Sequence, residues 1–220
     1  MTFLQLCQRL RSETGLPGTG PSSVVGQTAD YGRIVQWISD AYEDIQDSRS
    51  DWWFLRDTFS FNCTIGQASY PKSTITNLAN WKGDSLRVYL TTINDEQWLE
   101  YWDWSTFRDA HLRGANTNIT GRPIDFAVDP DRNLVLWPIP DQAYTITGEC
   151  YKNPYTMSVD TDTPVFDRFQ MAIVWNALRR YAASISDPTL YAHGQKEYKV
   201  MLDRLLREQT PMIIPGKALA

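Results

Sequence analysis

The sequence predicts an α+β chain: a helical bundle built from both chain ends, with a β-rich domain inserted between them. Three observations carry this. Apolar residues recur at three- and four-residue spacing near both ends, they alternate in twos through the middle, and proline, glycine and aspartate mark the changes of pattern. The 220 residues suffice for one compact domain or two small layers with a sizeable core. The expected division is 1–55 with 163–210 for the helical bundle, 56–162 for the inserted β-rich domain, and 211–220 for an extended C-terminal tail.

Residues 2–13 read as a short amphipathic helix, ended by Gly15 and Pro17. The turn-rich loop GLPGTGPSSVVGQ follows. Thr28 or Asp30 can cap the next helix, which runs to about Arg49. Its apolar positions Tyr31, Ile34, Val35, Ile38, Ala41, Tyr42 and Ile45 share one face, and Gln36, Asp40, Glu43, Asp44 and Asp47 take the other. The corner SDWWFLR then separates the helical period from an alternating one. Its Trp52, Trp53, Phe54 and Leu55 are expected to be buried, packing the helical and β layers together.

In DTFSFNCTI, Phe59, Phe61, Cys63 and Ile65 alternate with polar residues, as in a half-buried strand. LRVYLTTI (residues 86–93) predicts a second strand. EQWLEYWDWSTFRDAHLRG predicts a helix through Trp98, Leu99 and Trp102 that breaks at Gly114. IDFAV-DPDR-NLVLWPI predicts a hairpin around an Asp-Pro-Asp turn, and YTITGECYKNP one more strand. The last two helices open with the same signature: Thr163 before Pro164, and Asp187 before Pro188. Pro211 closes the second of them. PMIIPGKALA, with two prolines and a glycine, predicts an extended tail.

Composition narrows the function. Charged residues are 21% and hydrophobic residues 42% of the chain, which fits neither a disordered tail nor a membrane protein. No apolar run reaches the ~20 residues of a membrane span, and the early Arg and Glu of MTFLQLCQRLRSE do not suit a signal peptide. Three cysteines, Cys7, Cys63 and Cys150, are odd in number and widely spaced, and read as reduced thiols in a cytosolic compartment acting as small hydrophobes. The net charge of −5 disfavours generic binding to a phosphate backbone. Nine tryptophans point to large contact surfaces.

Catalytic and metal-binding patterns are missing from the sequence. GLPGTGP has neither a strand-to-helix setting nor a Lys-Ser/Thr, so it is not a phosphate loop. DPDRN imitates the first ligands of a calcium loop (Asp129, Asp131, Asn133), but Leu134 and Pro140 stand where glycine and glutamate are needed. His111 and His193, the two histidines, lie at no zinc-ligand spacing. No GxSxG elbow is present. The expectation is therefore no catalytic, cofactor-binding or metal-binding residue. The one sharper alternative is WLEYWDW: Trp98, Trp102 and Trp104 beside Glu100 and Asp103 could form a sugar-stacking groove with paired carboxylates, as in a polysaccharide-binding or peptidoglycan-hydrolysing tail module. The plainer reading packs those aromatics on the β domain and leaves the carboxylates in solvent.

Two segments together resemble a known family. They are ADYGRIVQWISDAYEDIQDSRSDWWFLRDTFSF (residues 29–61) and TPVFDRFQMAIVWNALRRYAASISDPTLYAHGQKEYKVMLDRLLREQTP (residues 163–211). Their I-V-x-W-I-x-x-A-x-x-D-I-Q helix, D-W-x-F-L corner and P-x-x-x-F-x-x-A-I helix paired with a final Y-to-L-L helix are similar to the head-to-tail adaptor (connector) proteins of tailed bacteriophages. The likeness covers about half the chain and consists of packing residues. It implies a structural virion protein without catalysis. It also implies a dodecameric homo-oligomeric ring between portal protein and tail nozzle protein, with a channel through which DNA passes without specific binding. An extended C-terminal segment would dock on the portal. Here that place is held by Met212, Ile213, Ile214, Pro215, Lys217 and Leu219, which match no family motif residue by residue. No cofactor and no membrane are implied.

Overall fold

The computed structural model describes residues 1–209. The tail expected at 211–220 lies outside the described residues. The chain divides into two compact units, one made of residues 1–54 with 154–220 and the other of residues 55–153. Residues 154–162, expected in the β-rich insert, thus belong to the helical unit.

In the helical unit, α1 (Phe3–Glu13) begins at Thr2, whose hydroxyl accepts the Gln5 amide while the Gln5 side chain accepts the Thr2 amide. Phe3, Leu6, Cys7 and Leu10 are buried along one face. The helix α2 (Ala29–Asp47) buries Ile34, Ile38, Ala41, Tyr42 and Ile45, the stripe expected from the spacing. Two acids of its opposite face are not simply solvated: Arg180 pairs with both Asp40 and Asp44.

Residues 163–170 are not helical, contrary to the expectation from Thr163-Pro164. The backbone groups of this segment are committed elsewhere. The Val165 amide donates to the Tyr42 hydroxyl at 3.0 Å, the carbonyl of Asp162 accepts from Phe3 at 2.7 Å, and Phe169 sits at φ 60°, which no right-handed helix allows. The residues just before the segment serve α1: the carbonyls of Asp160 and Asp162 take up amides that a first turn leaves unpaired. Only after this segment does α4 (Met171–Ser184) begin; α3 (Trp104–His111) lies in the other unit. Buried residues occur around most of the circumference of α4, as expected of a central helix, and α4 packs against α1, α2 and the long last helix α5 (Pro188–Gln209). Asp187 caps α5 by accepting the amides of Thr189 and Leu190, both at 2.9 Å. At Gly194 the two helices cross closely: a Cβ there would lie 3.4 Å from the Trp175 carbonyl oxygen.

The β unit holds β1 (Arg56–Asn62), β2 (Ser69–Tyr70), β3 (Leu78–Trp81), β4 (Arg87–Leu90), β5 (Asp95–Trp98), β6 (Glu100–Tyr101), β7 (Thr120–Gly121), β8 (Asp125–Val128), β9 (Leu134–Trp137), β10 (Ile139–Pro140) and β11 (Thr145–Lys152), with α3 (Trp104–His111) between β6 and β7. One sheet has the order β1-β11-β4-β5, with β3 also on β11, and a second has the order β2-β9-β8-β6. The predicted β8–β9 hairpin is present, with Asp129 accepting the Asn133 amide in its turn. The short strands β2, β3, β7 and β10 were not anticipated. Phe59, Leu86, Val88 and Ile146 of the first sheet share one core with Phe126, Leu134 and Leu136 of the second. Alternation on β8 and β9 turns Ala127 and Val135 to the other face, where Phe107 of α3 covers them.

The helix expected across EQWLEYWDWSTF is confined to its end. Residues 95–101 are strands instead, because their backbone groups find sheet partners: the Leu99 amide donates to Leu86 at 3.0 Å, Glu100 to Ile124 at 2.8 Å and Trp102 to Phe126 at 2.9 Å. Helix begins only where Asp103 accepts the Ser105 amide, at 3.0 Å.

Candidate functional site

The corner SDWWFLR follows the last turn of α2. Trp52 is 1% exposed, donates its indole N–H to the Ile45 carbonyl at 3.1 Å and stacks on Phe54 with ring centres 5.1 Å apart. Phe54 meets Phe166, which in turn meets Tyr42. The Phe54 amide donates to the side chain of Gln209, the last described residue, at 3.2 Å. Burial raises the Tyr42 hydroxyl to about 12, against the opposing pull of the Val165 amide, whose hydrogen bond its oxygen accepts. Leu55 is buried. Trp53 differs from the expectation: it is 52% exposed. Adjacent residues in the short helical turn 53–55 cannot share one face, and the inward direction belongs to its neighbours.

The tryptophans of WLEYWDW do not come together. Trp98 is 59% exposed on β5, with the Arg87 guanidinium 3.8 Å from its ring centre. It borders an open hollow of about 590 Å³ on the first sheet, along with Arg56, Lys82, Ser85 and Glu149. Trp102 and Trp104 belong to the separate small cluster around Phe107, with Trp137 and Leu112. His111 sits in that cluster, stacked on Trp137 at 4.0 Å, with Nε2 3.2 Å from Asp125 Oδ2. Burial pushes the Asp125 carboxyl above its ordinary range, opposed by the charge of His111.

Of the two carboxylates considered for acid–base work, Glu100 stands exposed on β6 and Asp103 is committed to a helix cap; the other acids nearby are held in ion pairs. Glu96 pairs with Arg87 at 2.6 Å. Glu149 is held by Arg56 and by Lys82, which outweigh the upward push of its burial and keep it below the usual carboxylate range. Asp103 caps α3, where the hydroxyl and amide of Ser105 keep it charged and lower its pKa. Hydrogen bonds and salt bridges of this kind fix structure; they do not present a proton donor and a base across one cleft. The hollow's three cations, Arg56, Lys82 and Arg87, are matched by Glu149, Asp84 and Glu96, so it lacks the uncompensated basic charge of a nucleic-acid surface.

Cys7, Cys63 and Cys150 are buried free thiols. Desolvation raises Cys7 to about 12 and Cys63 to about 11, which makes them poor nucleophiles. Among the described residues, no cluster of three or more His, Cys, Asp or Glu could hold a metal ion, and no helix is long and apolar enough to cross a membrane.

Packed aromatics, helix caps and compensated ion pairs account for most of the residues that the sequence singles out. The chain belongs to the SU10 adaptor protein family, whose model matches residues 1–215. That match agrees with the resemblance to phage head-to-tail adaptors read from both chain ends, and it extends across the β unit, where the sequence offered no motif. No curated protein sequence matches the chain. The residues expected to meet a portal, Met212, Ile213, Ile214, Pro215, Lys217 and Leu219, lie outside the described residues.

Proposed function

We propose that this phage adaptor forms a ring, of twelve copies by resemblance, that joins the portal to the tail nozzle and surrounds the path of the exiting DNA. The observation that carries the reading is the family match over residues 1–215. The protein would assemble in the host cytoplasm and act in the virion. An excess of 26 acidic over 21 basic residues suits a passage that lets the duplex slide, because negative walls repel phosphate. The free protein would be mainly monomeric, with the ring completed on the portal as template.

In this reading the C-terminal residues Met212 to Leu219 are the portal-docking arm. Ile213 and Ile214 are the apolar anchors, Lys217 meets an acidic rim, and many weak arms on one ring add to a persistent attachment. Deleting residues 211–220 is expected to leave the melting temperature nearly unchanged and to abolish co-sedimentation with portal rings; normal portal binding by the truncated protein would overturn the assignment. The glycan-hydrolase alternative is tested directly with purified protein on peptidoglycan. No cleavage is expected, and cleavage lost in Glu100→Gln would reverse the conclusion.

A further inference from the structure

A second hollow, of about 230 Å³, lies within the helical unit between the start of α2 and the end of α4. Leu16, Ile34, Trp37, Tyr181 and Ile185 form its walls, and Asp30 and Arg33 stand at its rim. Trp37 and Tyr181 meet edge to face at 5.7 Å. Two of the wall residues are open to solvent: Ile185 is 50% exposed and Leu16 is 38% exposed. Asp30 and Arg33 are 3.9 Å apart and largely exposed, so neither charge is strongly occupied by the other. An apolar slot with a loosely paired Asp30 and Arg33 at its mouth suits an extended segment bearing branched aliphatic side chains and, a few residues on, a cation that can share Asp30 with Arg33.

The chain itself contains one such segment. Residues 211–220, PMIIPGKALA, carry Ile213 and Ile214 followed by Lys217, and the last described residue before them, Gln209, is held at the Phe54 amide. The point of departure decides which copy they can serve. Helix α5 starts next to the hollow, just after Ile185, and its 22 residues lead away along α4 for about 33 Å. The contact of Arg168 with Glu208 places the far end of α5 beyond the start of α4. From Gln209, even a fully extended chain carries Ile214 no more than about 18 Å. The isoleucines therefore fall well short of the hollow in their own chain.

We infer that the α2–α4 hollow receives the C-terminal arm of a second copy, with Ile213 and Ile214 in the apolar slot and Lys217 beside Asp30. Donor and acceptor surfaces differ, so the contact is heterologous: each copy gives an arm at one end and takes one at the other, and the series closes into a ring or continues as a filament. Each contact alone is weak, since ordering the arm offsets much of what two aliphatic side chains contribute. A portal that uses the same arm competes with this contact, which therefore belongs to the protein before attachment. The inference rests on the helical unit and needs no portal, so its failure would leave the adaptor reading untouched.

Disulfide trapping tests it. Two variants are made, Ser184→Cys beside the hollow and Gly216→Cys in the arm, with tags of different mass. The natural thiols are buried and contribute no background. Mixed and oxidised without portal, the two should give a cross-linked species containing one of each chain, and adding Ile213→Asp with Ile214→Asp to the arm should lower its yield about tenfold or more. The double variant Ser184→Cys/Gly216→Cys should cross-link between chains, with a yield that falls on dilution. Absence of the mixed species, indifference to the aspartates, or a dilution-independent link within one chain would each overturn the inference.

Discussion

The two tryptophan-rich stretches of the chain, SDWWFL and WLEYWDW, look alike in composition and behave differently. In the first, one indole is fully enclosed: Trp52 has its N–H on the Ile45 carbonyl and its ring on Phe54, and the neighbouring Trp53 stays open to solvent. In the second, none of the three tryptophans is fully buried. Trp98 lies under an arginine at a sheet edge, and the enclosed ring of that region is Phe107, to which Trp102 and Trp104 are only partial cover. Tryptophan content alone does not say where a core is. What decides is whether the backbone at that point offers one inward direction and a polar partner for the indole N–H.

This contrast makes graded predictions. Trp52→Ala should cost the helical unit about 3–5 kcal/mol in chemical denaturation, since a cavity of that size collapses poorly. Trp53→Ala should stay within about 0.5 kcal/mol of wild type. Equal losses at the two positions would erase the distinction between them. In the second stretch the large loss should appear at Phe107→Ala, about 3 kcal/mol. Trp98→Ala should lose only its exposed contact with Arg87, about 0.5–1 kcal/mol; a larger loss than at Phe107 would make Trp98 the real anchor.

The smallest expected effect is electrostatic. Hydrogen bonds from Ser105 lower the folded pKa of Asp103 below that of the unfolded chain. The stability this supplies is complete above about pH 4 and is lost as pH falls through the folded value. Asp103→Asn keeps a capping side chain but removes the titration. Its melting temperature should therefore fall less than that of wild type between pH 5 and pH 3, both referenced to about pH 7. An unchanged acid limb would mean that Asp103 does not contribute to it.

Much of the helical unit and the first strand of the β unit are legible in the sequence because their signals are local. The Ile34, Ile38, Ile45 stripe, the Asp187-Pro188 start and the strand containing Phe59 all appear where spacing and caps place them. The failures are places where distant backbone groups won. Thr163-Pro164 has the form of a helix start, but the Tyr42 hydroxyl takes the Val165 amide and α1 takes the Asp162 carbonyl, partners more than a hundred residues away. Residues 95–101 have helical spacing of Trp98 and Trp102, yet Leu86, Ile124 and Phe126 supply a ladder that spacing cannot reveal. The α2–α4 hollow was not anticipated for the same reason. Leu16, Trp37 and Ile185 come from three separate segments, and only the folded unit puts them side by side.

The interruption of the helical unit by the β unit also sets a clock on synthesis. Helices α1 and α2 leave the ribosome early, but their central partner α4 begins only after residues 48–170 have been made. At typical elongation rates that is a wait of about 6–25 s. Throughout it Leu6, Leu10, Ile38 and Ile45 have no α4 to cover them, while all of residues 55–153, a compact unit of its own, have already been made. The N-terminal helices therefore need protection from neighbouring chains for longer than the inserted unit, whose whole sequence is complete before α4 is made.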